Sequence, residues 1–240
     1  MMVRIGLTAD RLTVAAADLA DEIGFESVSV SALARRFGVK DASLYSHIRN
    51  LQDLRSRVAV LALGELADGV GAALAGRAGK DALVAFADAY RNYAALYPGR
   101  YDATRMDLDP AVAAASAAGR HAELTRAILR GYALVEPHET HAVRLLHSIF
   151  HGYASLERTG GFRHTTRTAD LSWAAALDAL DVALRNWPTD RRVPSGAPRR
   201  NGRRAPTVDF EDSTRPALLP VETPDEQATE ESAVGNASGL

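Results

Sequence analysis

The sequence has no cysteine in its 240 residues, and it has no long apolar run. Without cysteine there can be no disulfide framework, no thiolate metal site and no thiol redox chemistry. No uninterrupted apolar stretch approaches the roughly 20 residues that a membrane-spanning helix requires. The first ten residues lack a positive stretch followed by an apolar core, so we expect no secretory signal and a cytoplasmic location.

A basic excess is also missing, because the formal net charge is −2 at pH 7. Proteins that bind nucleic acids usually carry such an excess, since Lys and Arg displace counterions from phosphates. The average conceals one basic island in residues 31–57, where only Asp41 and Asp53 are acidic. Its basic residues are Arg35, Arg36, Lys40, Arg49, Arg55 and Arg57. A nucleic-acid contact in this segment is therefore compatible with a slightly acidic chain.

Runs of alternating β-branched residues are nearly absent, whereas apolar residues recur at helical spacing from residue 12 to residue 187. The fold is therefore predicted to be all-α, with about nine helices. The first helix should run from about residue 8 to residue 22 and stop at Gly24. Its apolar face should contain Leu12, Ala15, Ala16, Leu19 and Ile23.

Two short helices are expected next, separated by a turn at Gly38. The first should open after Ser29, a residue type that caps helices, and the second should carry Leu44, Tyr45 and Ile48. These two helices and the first one would form a small three-helix unit, because their apolar faces need partners.

A long helix should follow, capped by Asn50 and continuing to about residue 76, where it links two domains. Further helices are predicted over residues 81–96, 109–134, 137–158 and 169–186, bounded by prolines and glycines. We therefore expect an N-terminal domain of residues 1–50 and a larger C-terminal helical bundle of residues 51–187. Residues 188–240 are rich in Pro, Gly, Ser, Thr and charge. They offer too little apolar surface to offset the ordering entropy, so a disordered tail is predicted.

Residues 29–48 meet the requirements of a helix-turn-helix, in which one helix braces a second that enters the major groove of DNA. Ala34 is small where two helices approach closely, and Gly38 can adopt the positive φ of the turn. Val39 and Leu44 supply the apolar wedge between the helices. The N-terminal domain is therefore predicted to be a helix-turn-helix domain.

This segment resembles the tetracycline-repressor (TetR) family, in which it ends in a Leu-Tyr-x-His-Phe stretch followed by a cap and a leucine. Residues 44–48 read Leu-Tyr-Ser-His-Ile, and Asn50 and the pair Asp53-Leu54 follow. The resemblance covers about residues 8–60. Two positions depart from the family pattern. Leu51 stands where a phosphate-binding lysine is usual, and Lys40 stands where a small cap residue is usual.

The resemblance implies a regulator that binds palindromic operator DNA as a homodimer. Tyr45 and His47 would contact phosphates, and residues 40–43 would lie nearest the base edges. Backbone amides at Asn50 could also meet a phosphate, and Lys40 or Arg49 could supply the charge of the missing lysine. The expected DNA-contacting residues are Ser29, Lys40, Asp41, Ala42, Ser43, Tyr45, His47, Arg49 and Asn50.

Residues 151–157, His-Gly-Tyr-Ala-Ser-Leu-Glu, and the following Gly-Gly-Phe resemble the His-Gly (WHG-type) motif of one subgroup of TetR C-terminal domains. Gly152 within a helix costs about 1 kcal/mol relative to alanine, so we expect close packing there, at an interface or in a crowded core. Pairing of the last two helices with their symmetry mates would form the family's usual four-helix dimer interface. Alternatively, the apolar residues there are ordinary monomer core, namely Leu145, Ile149, Trp173, Leu177 and Leu180.

In the family the larger domain binds a small molecule, and the residues here suggest a mostly apolar effector. Tyr90, Tyr93 and Tyr97 recur on one helix face, although such a stripe is more often core than pocket. Tyr101 is a further aromatic candidate. The residues expected to line the effector site are Phe86, Tyr90, Tyr93, Arg105, His121, His147 and His151. Effector binding would move the long helix and change the separation of the two DNA-binding domains of the dimer. The expected mechanism is therefore ligand-linked repression.

Catalysis is not expected, and neither a cofactor nor a resident metal is predicted. His147 and His151 are four apart on one helix face, but Ser148 stands where a hydrolytic zinc helix carries Glu. Metal sensing by these two histidines is one alternative. A helical interaction protein with a weakened DNA-binding head is another. For the motif itself, the alternative is that Leu44, Tyr45 and Ile48 only pack a small three-helix core.

Overall fold

The computed structural model describes residues 6–164, 166 and 168–188 of the chain. Over these residues it contains nine α-helices and two short 3-10 helices, and no β-strand. The predicted all-α class is thus confirmed for the described part of the chain. The predicted disordered tail lies outside the described residues from position 189 onward.

Helix α1 (Ala9–Ile23) begins and ends close to where the sequence predicts. The Thr8 side chain accepts a hydrogen bond from the Arg11 N–H at 3.2 Å, which caps the helix. Gly24 ends it with a φ of 88°, a conformation that favours glycine. The predicted apolar face packs inward except for Ile23, which is 45% exposed in the last turn.

Helix α2 (Val30–Phe37) is the first half of the helix-turn-helix. Ser29 accepts a hydrogen bond from the Ala32 N–H at 3.2 Å, and Gly38 adopts the left-handed conformation of the turn. A regular helix through residues 44–48 is not formed, so that prediction is wrong. Instead, a 3-10 helix (Asp41–Ser43) leads into hydrogen-bonded turns. The Ser46 hydroxyl donates to the Ser43 carbonyl at 2.8 Å, which competes with regular helical pairing.

Helix α3 (Leu51–Leu74) is the predicted long helix and ends slightly before its predicted stop. Asn50 Oδ1 accepts from the Asp53 N–H at 2.8 Å, and Asp53 Oδ2 accepts from the Arg49 N–H at 3.0 Å. These two hydrogen bonds form a reciprocal cap that fixes the start of α3 directly after the helix-turn-helix.

Six helices follow: α4 (Gly79–Leu96), α5 (Pro98–Ala103), α6 (Pro110–Ala115), α7 (Ala118–Arg130), α8 (His138–Arg158) and α9 (Ala169–Arg185). The predicted continuous helix over residues 109–134 is wrong, because it breaks at Ser116. The Ser116 hydroxyl donates to the Ala113 carbonyl at 2.7 Å and accepts from the Ala118 N–H at 3.2 Å. One side chain thus ends α6 and starts α7.

Two clusters of buried apolar side chains organise the described helices. The first belongs to the helix-turn-helix region and includes Leu12, Leu33, Leu44, Ile48 and Leu54. The second is built from α4, α7, α8 and α9 together with the end of α3. Since α3 contributes to both clusters, the predicted domain boundary between residues 50 and 51 stays a prediction. None of the described helices combines the length and apolarity needed to cross a membrane.

The cap of α1 can be tested against a matched position. Thr8→Ala should lower the free energy of unfolding by about 1 kcal/mol, because the Arg11 N–H loses its acceptor. Thr168 also occupies an N-cap position, at α9, but its side chain makes no capping hydrogen bond. Thr168→Ala should therefore be nearly neutral in chemical denaturation. Equal losses for the two variants would contradict this account.

Candidate DNA-binding surface and effector site

The recognition segment, residues 40–48, presents a polar outer surface that two buried side chains hold in place. Leu44 and Ile48 are buried in the first apolar cluster, which fixes the segment against α1 and α2. Outward from them, Tyr45 is 54% exposed and His47 is partly buried. Lys40, Ala42, Ser43 and Arg49 are exposed beside them. These six side chains form one accessible surface, which we call the recognition surface.

Three of the nine predicted DNA-contacting side chains already have partners within the protein. Ser29 caps α2 and Asn50 caps α3. Asp41 Oδ2 accepts a hydrogen bond from the Ser31 hydroxyl, which ties the recognition segment to α2. These three residues hold the backbone of the motif in place, whereas the recognition surface is left for a partner.

Part of the basic island is neutralised within the head, defined as α1, α2 and the recognition segment, and at the start of α3. Arg36 pairs with Glu22 at 2.7 Å, and Arg55 pairs with Glu26 at 3.2 Å. Within the described part of the chain, no ion pair is recorded for Arg35, Lys40 and Arg49. The positive charge that remains exposed is therefore concentrated on and next to the recognition surface.

Arg57 stabilises the start of α3 through Asp53, with Nε 3.3 Å from Oδ2. Burial raises the pKa of Asp53, but the hydrogen bonds from the Arg49 N–H and from Arg57 outweigh it, so that the pKa lies below its ordinary value. Asp53 is therefore ionised at neutral pH, as its place in the first turn of a helix favours.

Seven side chains from α4, α5, α7 and α8 form an aromatic cluster in the second apolar core. Phe86 lies centrally, with ring centroids 5.5 Å from His121 and 5.8 Å from Phe150. The Tyr90 ring meets the Tyr101 ring edge-on at 5.4 Å. The cluster consists of Phe86, Tyr90, Tyr101, His121, His147, Phe150 and His151.

Tyr101, the further aromatic candidate of the sequence, is the polar centre of the aromatic cluster. Its hydroxyl is hydrogen-bonded to the Tyr90 hydroxyl at 3.1 Å and to His151 Nδ1 at 2.7 Å. Arg105 Nη1 also reaches His151 Nδ1, at 3.2 Å. Because an arginine can only donate, His151 Nδ1 must be unprotonated in order to accept from Arg105. The Pro98-Gly99 pair begins the short helix α5, in which Tyr101 is fully buried.

The three histidines of the cluster are uncharged at neutral pH. Burial, together with the neighbouring His147 ring, lowers the pKa of His121 to about 4. Burial also lowers the pKa of His147, and burial together with Arg105 and Arg158 lowers that of His151. His121 Nδ1 is buried without a hydrogen-bond partner. The cluster therefore offers an apolar, uncharged surface with one unsatisfied polar atom.

Two predicted lining residues lie away from the centre of the cluster. Tyr93 faces α3, where its hydroxyl donates to Glu65 at 2.9 Å and its ring packs on Tyr97. Tyr90 and Tyr93 are both buried in the second apolar cluster, but only Tyr90 contacts the rings of the aromatic cluster. Arg105 is exposed at the edge of the cluster and pairs with Asp102 at 3.1 Å.

The histidines do not form a recognisable metal site. His147 stacks on His121 and lies 3.4 Å from the Thr125 hydroxyl, whereas His151 is engaged with Tyr101 and Arg105. Among the described residues there is no group of three or more His, Asp or Glu side chains that could hold a metal ion.

Comparison with known proteins agrees with this geometry. Residues 12–58 match the family described as bacterial regulatory proteins, tetR family. Residues 83–180 match the tetracyclin repressor-like C-terminal domain. The HTH-type transcriptional regulator Rv0681 of Mycobacterium tuberculosis is 36% identical over 64% of this chain and 72% of its own length. YobS of Bacillus subtilis, named likewise, is 33% identical over 78% of this chain and 94% of its own length.

Solved structures share the fold. The TetR family transcriptional regulator PfmR of Thermus thermophilus has a TM-score of 0.55 and 25% identity, over 73% of this chain and 96% of its own. A TetR variant of Acinetobacter baumannii, solved in complex with minocycline, has a TM-score of 0.58 and 20% identity, over 75% of this chain and 98% of its own. The TetR family protein ActR of Streptomyces coelicolor, solved with (S)-DNPA, has a TM-score of 0.55 and 20% identity, over 74% of this chain and 96% of its own.

A helix-turn-helix with an exposed polar recognition surface, joined by a long helix to a larger helical bundle, defines the class of DNA-binding transcriptional regulators. The chain belongs to the TetR family within that class. Its members are transcriptional regulators and not enzymes.

The uncharged state of His121 should appear in the pH dependence of stability. A histidine with a folded pKa of about 4 must lose its proton on folding, so the unfolded chain binds more protons between about pH 6.5 and pH 4. Stability should therefore fall as the pH falls through this window, by about 3 kcal/mol for a shift of this size.

This dependence can be measured by urea unfolding at pH 7.5, 5.5 and 4.5. His121→Gln should flatten the loss of stability relative to the wild type, because the titrating ring is gone. His141→Gln, at an exposed position of α8, is the matched control and should leave the slope unchanged. An unchanged slope in the His121 variant would show that folding does not lower the pKa of His121.

Proposed function

We propose that the protein is a homodimeric repressor that binds palindromic operator DNA and releases it when a mostly apolar effector binds the aromatic cluster. The recognition surface is the observation that carries this proposal. Its polar side chains stand outward on a segment that Leu44 and Ile48 anchor from within. Such a regulator would act in the cytoplasm, where bacterial operators lie.

On this proposal the recognition surface divides into two roles. Tyr45 and His47 contact phosphates, and the charges of Lys40 and Arg49 compensate for the lysine that Leu51 replaces. Ala42 and Ser43 face the base edges, where a methyl group suits thymine and a hydroxyl can donate or accept. Ser29, Asp41 and Asn50 act indirectly, by holding the backbone in position.

The composition of the aromatic cluster supports the proposal of an apolar effector. Phe86, Tyr90 and Phe150 are buried, and the neighbouring histidines carry no charge at neutral pH. The unpaired His121 Nδ1 and the edge residue Arg105 are the polar groups that could orient a ligand. Two structural neighbours were solved with small organic molecules, minocycline and (S)-DNPA. An effector that prefers one position of α3 would change the separation of two heads on DNA.

The proposal of a homodimer is supported by exposed apolar side chains on α8 and α9. Leu171 is 67% exposed and Val182 is 58% exposed on α9, and Leu156 is exposed on α8. Gly152 of α8 has open space where a Cβ would stand, so the predicted crowded core is wrong and the interface alternative remains. A second copy of the chain packed on this face would bury these apolar side chains.

The DNA proposal is tested by selecting sites from random DNA with the full chain. We expect a palindrome with half-sites about one helical turn apart. Tyr45→Ala should weaken binding to the selected site about tenfold or more. Lys40→Ala should weaken selected and unselected DNA alike and reduce the salt slope by about 1. Arg130→Ala, an exposed arginine outside the head, is the control and should change neither. Binding without sequence preference would favour an interaction protein with a weakened head.

The proposed dimer interface is tested by introducing a charged side chain into it. Val182→Asp should convert the dimer to a monomer in sedimentation equilibrium, because an unpaired carboxylate would be buried in the interface. Leu96→Asp is the matched control, since Leu96 is 70% exposed at the end of α4. It should leave the mass unchanged. A dimer that survives Val182→Asp would place the interface elsewhere.

A further inference from the structure

A cavity of about 490 Å³ lies where α1 and α3 meet the short helix α6. Its lining residues on α1, within positions 10–14, and on α3, within positions 53–61, recur at helical spacing, so each set forms one helix face. None of the seven side chains of the aromatic cluster lines it. Small-molecule sites typically have volumes of roughly 300–1,000 Å³. The cavity is therefore large enough for a ligand and separate from the proposed effector site.

Apolar side chains form most of the cavity wall. They are Val14 of α1, Val60 and Leu61 of α3, and Val112 of α6. Val14 is 47% exposed and Val112 is 37% exposed, although both are apolar. Helix α6 buries none of its own residues. A ligand with an apolar body would remove these side chains from water, which favours its binding.

Two polar groups of the lining are left open for a ligand. Asp53 pairs with Arg57 at 3.3 Å, and the Thr13 hydroxyl donates to a carbonyl of its own helix at 2.8 Å. Among the residues that the structure describes, neither the Asp10 carboxylate nor the Ser56 hydroxyl has a hydrogen-bond or ion-pair partner. The carboxylate and the hydroxyl are therefore free to accept hydrogen bonds from a molecule in the cavity.

The charge of the lining indicates the class of that molecule. Two carboxylates and one guanidinium line the cavity, which leaves one negative charge in excess, that of Asp10. A ligand with a single positive charge would balance it, whereas a carboxylate would be repelled. A protonated primary amine also carries three N–H donors and no acceptor, which matches the acceptors that Asp10 and Ser56 offer.

We propose that this cavity is a second ligand site, which binds a protonated primary amine with a small apolar body. The site goes beyond the effector control proposed above, because it lies against the head and the start of α3 instead of in the aromatic cluster. Asp53 places it next to the recognition segment, since the same carboxylate accepts from the Arg49 N–H at 3.0 Å. A bound amine therefore lies beside the helix start that holds the recognition surface.

Three probes of equal chain length test the site in the full chain. Hexylammonium is the cationic probe, and hexanol and hexanoate are its neutral and anionic counterparts. Amide NMR spectra report both the affinity and the residues that are affected. We expect hexylammonium to bind about fivefold more tightly than hexanol, and hexanoate to bind more weakly than either, because only the cation pairs with Asp10. The resonances that shift should belong to residues 10–14 and 53–61. Equal affinities for hexylammonium and hexanol, or shifts confined to α4 and α8, would overturn the proposal.

Matched variants separate a ligand contact of Asp10 from a structural role. Asp10 stands in the first turn of α1, where a carboxylate favours the helix dipole with or without a ligand. Asp10→Asn should weaken hexylammonium binding about fivefold and leave hexanol binding unchanged. Asp81 stands in the first turn of α4, away from the cavity, so Asp81→Asn should change neither. An Asp10→Asn variant that binds hexylammonium as tightly as the wild type would contradict the proposed site.

A second variant reaches the cavity from its opposite wall. Val112→Lys places a positive charge in the lining, and it should weaken hexylammonium binding by repulsion. Val112 is exposed and belongs to neither apolar cluster, so the variant should fold. Unchanged hexylammonium binding in this variant would place the amine outside the cavity.

This site and the proposed function fail separately. If hexylammonium binds as expected but the protein selects no operator, the second site stands and the operator proposal falls. If the protein selects an operator but hexylammonium does not bind, the operator proposal stands and the second site falls.

Discussion

The contact between α1 and α5 is the constraint on which the arrangement of the described helices depends. Gly99 lets two backbones touch, and Arg100 neutralises carboxylates of α1 and α3 beside them. Removing one partner of such a buried charge group typically costs about 3–5 kcal/mol, since the remaining charge stays desolvated. The head is thus connected to the larger helical domain in two ways, by the continuous helix α3 and by the contacts of Gly99 and Arg100 with α1.

The electrostatics of the head explain how a chain of net charge −2 can present a DNA-binding surface. Arg36, Arg55 and Arg57 form ion pairs with carboxylates within the head and at the start of α3. Lys40 and Arg49 stay exposed on the recognition surface. Because screening limits charges to a range of about 10 Å, the local arrangement near the groove matters more than the total.

The aromatic cluster combines apolar packing with polar groups that are kept neutral. Phe86, Tyr90 and Phe150 supply the apolar surface, and burial suppresses the charge of the surrounding histidines. The same environment disfavours a metal cation, since the histidines face rings and hydroxyls rather than one another's lone pairs.

Helical period and local caps were sufficient to predict the all-α class and the roles of Ser29, Gly38 and Asn50, because these signals act within a few residues. The break at Ser116 and the irregular recognition segment were missed, since hydroxyl groups there compete with backbone pairing. The contact of Tyr101 with His151, the contact of Tyr93 with α3 and the burial of Arg100 against α1 join residues 28 to 82 positions apart. Such pairings depend on how helices pack in three dimensions, which periodicity along one helix does not encode.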